Sequence, residues 1–312
     1  MLLVNQQNKV INDSSPIALF CFKRLDTLKR CVESLRNCPE AIHSDLFIFS
    51  DAGSNEIQNQ KVGEVRAFLD SLTGFKSINI VYRSSNLGVD YNIIQGIQEM
   101  AEMHEKFIII EDDLVVSKQF LGFMNAGLKH FETFENVLTL SAFNCIQIPK
   151  KYIWDCYFAQ RTNPWGWGTW SHKIKDVDWD LAKKNHLLLN RAEMKAFDVW
   201  GSDRSRMLKR TIKGEIRAWD IRLDYYQFKK NMLTAYSTKN MVENIGFNDL
   251  EASNTNGYNR YKSGLDYFNT LHFHFSDLLI FNPKIKKRFI AKNSFFARCK
   301  TWLYKLIKYK NI

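Results

Sequence analysis

Residues 16–35 read PIALFCFKRLDTLKRCVESL. The first seven, Pro16 to Phe22, are an unbroken run of strand length. Apolar positions then recur at Leu25, Leu28, Val32 and Leu35, the spacing of a helix over residues 25–38. A strand buried on both faces and followed at once by a helix is the opening of a βαβ unit. The unit repeats along the chain. LFIFS (46–50) precedes a helical pattern near 62–72, INIVY (78–82) one at 89–103, and FIII (107–110) one near 119–131; VLTLSA (137–142) is a fifth strand. The expectation is a doubly wound, mostly parallel α/β sheet, whose ligands bind beyond the carboxyl ends of its strands.

Past Asn144 the alternation stops. Residues 145–214 are rich in aromatics and turns, including RTNPWGWGTW at 161–170. A helix is predicted in IRAWDIRLDYYQFKK (216–230), a strand in LTAYST (233–238) and a polar loop over 248–265. The predicted organisation is an α/β half over 1–144, a second half of the same unit over 145–283, and a tail over 284–312.

Composition narrows the field. The chain has 312 residues, 45% hydrophobic and 25% charged, with 14 glycines and 5 prolines, which speaks against disorder and against a turn-dense sandwich. No apolar run reaches the roughly 18 residues of a membrane span. The opening MLLVNQQNKVINDSS has no basic segment of a signal peptide. Six cysteines without a CxxC pair or zinc spacing then point to reduced thiols in a cytoplasmic compartment. The net charge of +11 belongs to the tail: ten basic and no acidic residues lie from Lys284 onward, leaving 34 basic against 33 acidic residues in the remainder. A balanced body removes the composition argument for nucleic-acid binding.

The strand ends carry the chemistry. They deliver Lys23 and Arg24, Asp51, Arg83 with Asn86, then Glu111-Asp112-Asp113, and finally Asn144 to one edge of the sheet. Arginine forks match phosphate oxygens, and oxygen ligands such as Asp113 suit Mg²⁺ or Mn²⁺ shared with substrate phosphates. The acidic triplet also reads as a turn capping the next helix; its place after the fourth strand favours the ligand reading. There is no GxxxxGK[ST] loop and no GxSxG elbow, and Gly166-Trp167-Gly168 lacks the remainder of a dinucleotide fingerprint.

PIALFCFKRLDTLKRCVESL, IFSDAGS, IIIEDDLVVSKQFLGFMNAGL, LTLSAFN, RTNPWGWGTW and AWDIRLDYY, in this order from Pro16 to Phe247, resemble the GT-A fold glycosyltransferases, in particular the N-acetylglucosaminyltransferase I type and its bacterial family 2-like relatives. The resemblance implies that Asp113 holds the divalent metal and that Glu111 and Asp112 contact the donor sugar and ribose. It implies that Arg24 and Asp51 hold the base and phosphate region, and that Asp220, after Trp219, is the catalytic base. Two departures stand out. Lys23 replaces an acidic residue often found before that arginine, and Asn248 to Asn256 offer no histidine for a metal.

Sugar transfer needs the leaving diphosphate neutralised and the acceptor hydroxyl deprotonated. One carboxylate acting opposite the leaving group implies inversion. Asp220 and Asp224 are both predicted to face away from the buried stripe of the 216–230 helix, so Asp224 is the rival base. Trp165, Gly166, Trp167 and Trp170 read either as a sugar-stacking surface or as a core cluster, and His272 and His274 as structural strand residues. In the tail, Phe289, Phe296 and Leu303 recur at seven with Trp302 and lysines between them, the pattern of a basic amphipathic helix on an anionic membrane or of a docked terminal helix. The expectation is an inverting, metal-dependent transferase. It would move sugar from a nucleotide-sugar, a UDP-sugar foremost, to a cell-surface polysaccharide or lipid-linked glycan at the inner face of a bacterial membrane. The rival readings are a sugar nucleotidyltransferase and a non-catalytic membrane-surface scaffold.

Overall fold

The apolar runs that open the chain have no polar face, so each strand must be covered on both sides. The computed structural model describes residues 14–181, 190–248, 259–270 and 272–309. Strand β1 (Ile17–Cys21) lies between β2 (Asp45–Ser50) and β4 (Lys106–Glu111), parallel to both, and β3 (Ser77–Tyr82) extends the sheet beyond β2. Crossovers run through α1 (Leu25–Arg36), α2 (Glu56–Asp70) and α3 (Val89–Met103). Alternation along each strand divides the core. Ile17, Leu19, Ile108 and Ile110 face α1, α2 and α4 (Phe120–His130), while Ala18, Phe20, Phe107 and Ile109 face α3.

The sheet continues differently from the expected run of five parallel strands. Its order is β3-β2-β1-β4-β8-β6-β9-β7, with β6 (Val137–Ser141), β7 (Cys156–Ala159), β8 (Trp167–Trp170) and β9 (Leu233–Ser237). β8 enters antiparallel between β4 and β6, and β7 is antiparallel at the far edge. The stretch predicted as turns therefore holds a central strand. Its four residues, WGTW, are too short to show a strand period, and Gly168 is there because a Cβ would meet the Phe107 carbonyl and Met124 at 3.0 Å. A separate two-stranded ribbon pairs β5 (Leu114–Val116) with β10 (Val242–Asn244).

The second half adds α5 (Ser171–Ile174), α6 (Arg191–Phe197), α7 (Arg204–Ile212) and α8 (Asp220–Lys229). α8 starts later than its apolar pattern suggested, which leaves Glu215 to Ala218 as a loop. His272 and His274 are exposed on extended chain outside either sheet, not on the predicted strand. Phe273 and Phe275 between them pack on Phe123, so side-chain burial, not ladder bonding, holds the segment. The tail is likewise two things. α9 (Pro283–Lys292) is capped by Asn282 and buries Ile285 and Phe289 against Tyr157, Tyr236 and Trp200, so the body extends past the expected boundary at 284. α10 (Phe295–Tyr309) follows, with Phe295 and Phe296 exposed.

Gly96 on α3 sits where the helix meets the sheet: a Cβ there would run into the Phe20 ring and lie 3.1 Å from that of Phe49. Alanine ordinarily favours a helix over glycine, but here the crowding wins. Gly96→Ala should lower unfolding stability by about 1–3 kcal/mol in urea denaturation.

Candidate functional site

Parallel pairing of β1 with β4 sets Phe20 beside Glu111, so the polar residues that follow each strand meet at one edge. Arg24 donates to Asp112 at 2.5 Å and to Asp113 at 3.1 Å, while the Phe22 amide donates to Asp112. Asp51 accepts from the amides of Ala52, Leu87 and Gly88, each at 2.9 Å, and the Asn86 amide bonds the Ala52 carbonyl at 2.6 Å. Those two residues shape the rim of the cleft. Arg83 does not join them: it is buried over the Phe49 ring and donates to Asn92 and Glu99.

Asp113 is fastened from the second half. The Ile245 amide donates to its carbonyl at 2.8 Å, and Asn244 reaches its carboxylate at 3.3 Å. Gly246 is required here, because a Cβ would run into the Asp113 carboxylate and lie 2.9 Å from the Arg24 guanidinium. Neither Asn244 nor Gly246 was singled out from the sequence; only the β5–β10 pairing brings NIGF to the acidic turn.

Three compartments run along this edge. The first, about 490 Å³, is lined by Arg24, Asp51, Asn86, Glu111, Asp112 and the 215–217 loop. The second, about 370 Å³, shares Arg24 and Glu111 with it and adds Asp113, Trp165, Trp219 and Asp220. The third, about 260 Å³, shares Trp165 and Asp220 with the second and is walled by Tyr157, Arg161, Arg260 and Tyr261. Asp220 thus stands at the border of the second and third. His272 and His274 line none of these compartments.

The electrostatics follow from crowding. Burial pushes Glu111 well above the usual carboxylate range, and Asp113, Asp112 and Asp220 push it further. Burial raises Asp112 to about 6, a rise that Arg24 opposes and Asp113 reinforces. Burial, then the nearby Asp224, raises Asp220 to about 6. Four carboxylates with Arg24 bonded to two of them leave excess negative charge, which suits a cation. Among the described residues no three His, Cys, Asp or Glu side chains form a metal cage. An ion here would take few protein oxygens and the remainder from phosphate and water, the habit of Mg²⁺ and Mn²⁺.

Several sequence expectations change at this point. Asp224 does not face solvent; it is buried, accepts from Arg204 at 2.7 and 2.9 Å, and takes the Thr162 amide at 2.9 Å. With both carboxylate oxygens engaged, it is an anchor for α7, and of the two aspartates Asp220 faces the compartments. Trp167 is 2% exposed and stacks on Trp219 at 5.6 Å, so it is core, not a sugar platform. Gly166, at φ +59, turns the chain tightly against Val242 and Phe120. Trp165 remains half-buried at the boundary, edge-on to Phe143 and Tyr261.

No protein-family model matches the chain, and no curated protein sequence matches it. Among solved structures it is similar to the mannosyltransferase PcManGT from Pyrobaculum calidifontis in complex with GDP-Man and Mn²⁺, at 9% identity and a TM-score of 0.34, covering 53% of this chain and 47% of that one. It is similar to S. aureus TarS 1–349 at 10% identity and a TM-score of 0.41, covering 72% and 60%. The same TarS segment in complex with UDP-GlcNAc matches at 11% identity and a TM-score of 0.35, covering 53% and 48%. The chain spans roughly half to three fifths of these proteins.

Asp224→Asn should act on stability. Leaving the Arg204 charge buried without its carboxylate costs about 3–5 kcal/mol, read as a lowered urea midpoint.

Proposed function

We propose that the chain is a GT-A type glycosyltransferase that moves a sugar from a nucleotide-sugar, a UDP-sugar foremost, onto a hydroxyl of a cell-surface polysaccharide or lipid-linked glycan, with inversion. The observation that carries this reading is the position of Asp220 between two compartments. One side holds Arg24 and the acidic turn, at the strand ends where doubly wound sheets take nucleotides. The other is an aromatic chamber with Trp165 and Tyr261, fitted to the apolar face of an acceptor sugar.

In this reading Asp51 and Asn86 order the loop beneath the nucleotide, and Glu111 and Asp112 face the donor ribose and sugar. Asp113, with Asn244 steadying it, would hold Mn²⁺ or Mg²⁺. A bound divalent ion supplies neutralisation of the diphosphate oxygens. Asp220 takes the proton from the acceptor hydroxyl as that oxygen attacks the anomeric carbon from the face opposite the diphosphate. Its raised proton affinity matches a base working near neutral pH. Residues 1–144 form the donor half and residues 145–283, with α9, the acceptor half.

The tail supports a peripheral membrane location at the cytoplasmic face. On α10, Phe295 and Trp302 are each 60% exposed, Phe296 82% and Leu303 51%, beside Arg298 and Lys300. Aromatic anchors with basic neighbours fit the surface of anionic lipids. Among the described residues no helix is long and apolar enough to cross a membrane.

With Mn²⁺ present, the protein should release UDP from at least one of UDP-glucose, UDP-galactose and UDP-N-acetylglucosamine; release from none would overturn the assignment. A nucleotidyltransferase would instead form pyrophosphate from UTP and a sugar phosphate, and a scaffold would do neither. Asp220→Asn should reduce transfer about 10²- to 10⁴-fold with UDP affinity unchanged. Because the base must be ionised, the wild-type rate should fall about tenfold per pH unit below about 6, as Asp220 takes up its proton.

Truncation after Ser294 leaves α9 in place and should abolish cosedimentation with phosphatidylglycerol vesicles while sparing UDP binding. Equal sedimentation of both forms would reject the membrane role of α10.

A further inference from the structure

We infer that Arg217 is the side chain that grips the diphosphate of the donor, an inference that rests on the nucleotide-sugar reading above. Glu215 to Arg217 cross the open edge of the sheet between α7 and α8, and Glu215 is held there by Arg210 at 3.2 Å. Among the described residues, only two cationic ones line both the first and the second compartments, Arg24 and Arg217. Arg24 is committed to Asp112 and Asp113. Arg217 is exposed and has no hydrogen bond or ion pair among the described residues.

Its place is prepared by the backbone. The Arg217 guanidinium rests against Gly88, in the space a Cβ would occupy. Gly88 has φ +79, a left-handed conformation that favours glycine, and its amide is bonded to Asp51. An unpaired planar fork is therefore seated at the border between the nucleotide compartment and the reacting centre. That is where a diphosphate linking the two must lie, and a guanidinium matches phosphate oxygens two at a time.

In the transfer step the bond between the anomeric carbon and the β-phosphate oxygen breaks, and its electron pair stays on the diphosphate. The acceptor oxygen bonds to that carbon, and its proton passes to Asp220. Arg217 neutralises the charge left on the departing oxygen, while the loop that carries it covers the cleft.

Calorimetric titration with uridine and UDP, each with Mn²⁺, tests this on wild type, Arg217→Gln and Arg217→Lys. Arg217→Gln should weaken UDP about 10- to 100-fold, leave uridine unchanged, and be partly rescued by lysine. If wild type binds UDP and Arg217→Gln binds it equally, the inference fails and the donor site stands. If wild type does not bind UDP, the donor-site reading fails and takes this inference with it.

Discussion

Arg24 bridging Asp112 and Asp113 is the interaction on which the site depends. Three consecutive acidic residues at the end of a buried strand would repel one another in a region of low dielectric. One guanidinium, delivered by the loop after the neighbouring strand, holds two of them at 2.5 and 3.1 Å. That contact requires β1 and β4 to be adjacent and parallel, because only then do their carboxyl ends coincide. Glu111 has no such bonded guanidinium; burial first, then its acidic neighbours, push its proton affinity up, and Arg24 offsets only part of that.

The second half of the chain turns this charged edge into a set of compartments. β10 pairs with β5 and brings Asn244 and Gly246 against Asp113. The Trp219–Trp167 stack fixes the start of α8, and so places Asp220. The two-bond Arg204–Asp224 ion pair holds α7 against the same helix from behind. Charge on α8 is thereby divided into an anchoring carboxylate and one facing the cleft. Two aspartates of like chemistry acquire different roles because one has a bidentate partner and the other does not.

The tail shows the same division between packing and exposure. α9 gives its apolar positions to the wall of the third compartment, where Phe289 and Asn293 both face the cavity. α10 keeps Phe295, Phe296 and Trp302 outside. The third compartment is thus built partly from the helix that leads into the exposed one.

Much of this was written locally. The strands over 17–21, 45–50, 77–82 and 106–111 are apolar runs bounded by helical periods, so their parallel order was legible, as were the two-sided burial of 17–21 and 106–111 and the strand-end positions of Arg24, Asp51 and Glu111 to Asp113; that 77–82 forms the half-exposed edge was not. The insertion of WGTW between β4 and β6, the engagement of Asp224 by Arg204, the withdrawal of Arg83 and Trp167 from the cleft, and the seat of Arg217 on Gly88 were not. Local sequence determines periodicity and which residue types follow a strand. Whether a given side chain is paired, buried or open depends on partners up to a hundred residues or more away, and only the packed chain brings those together.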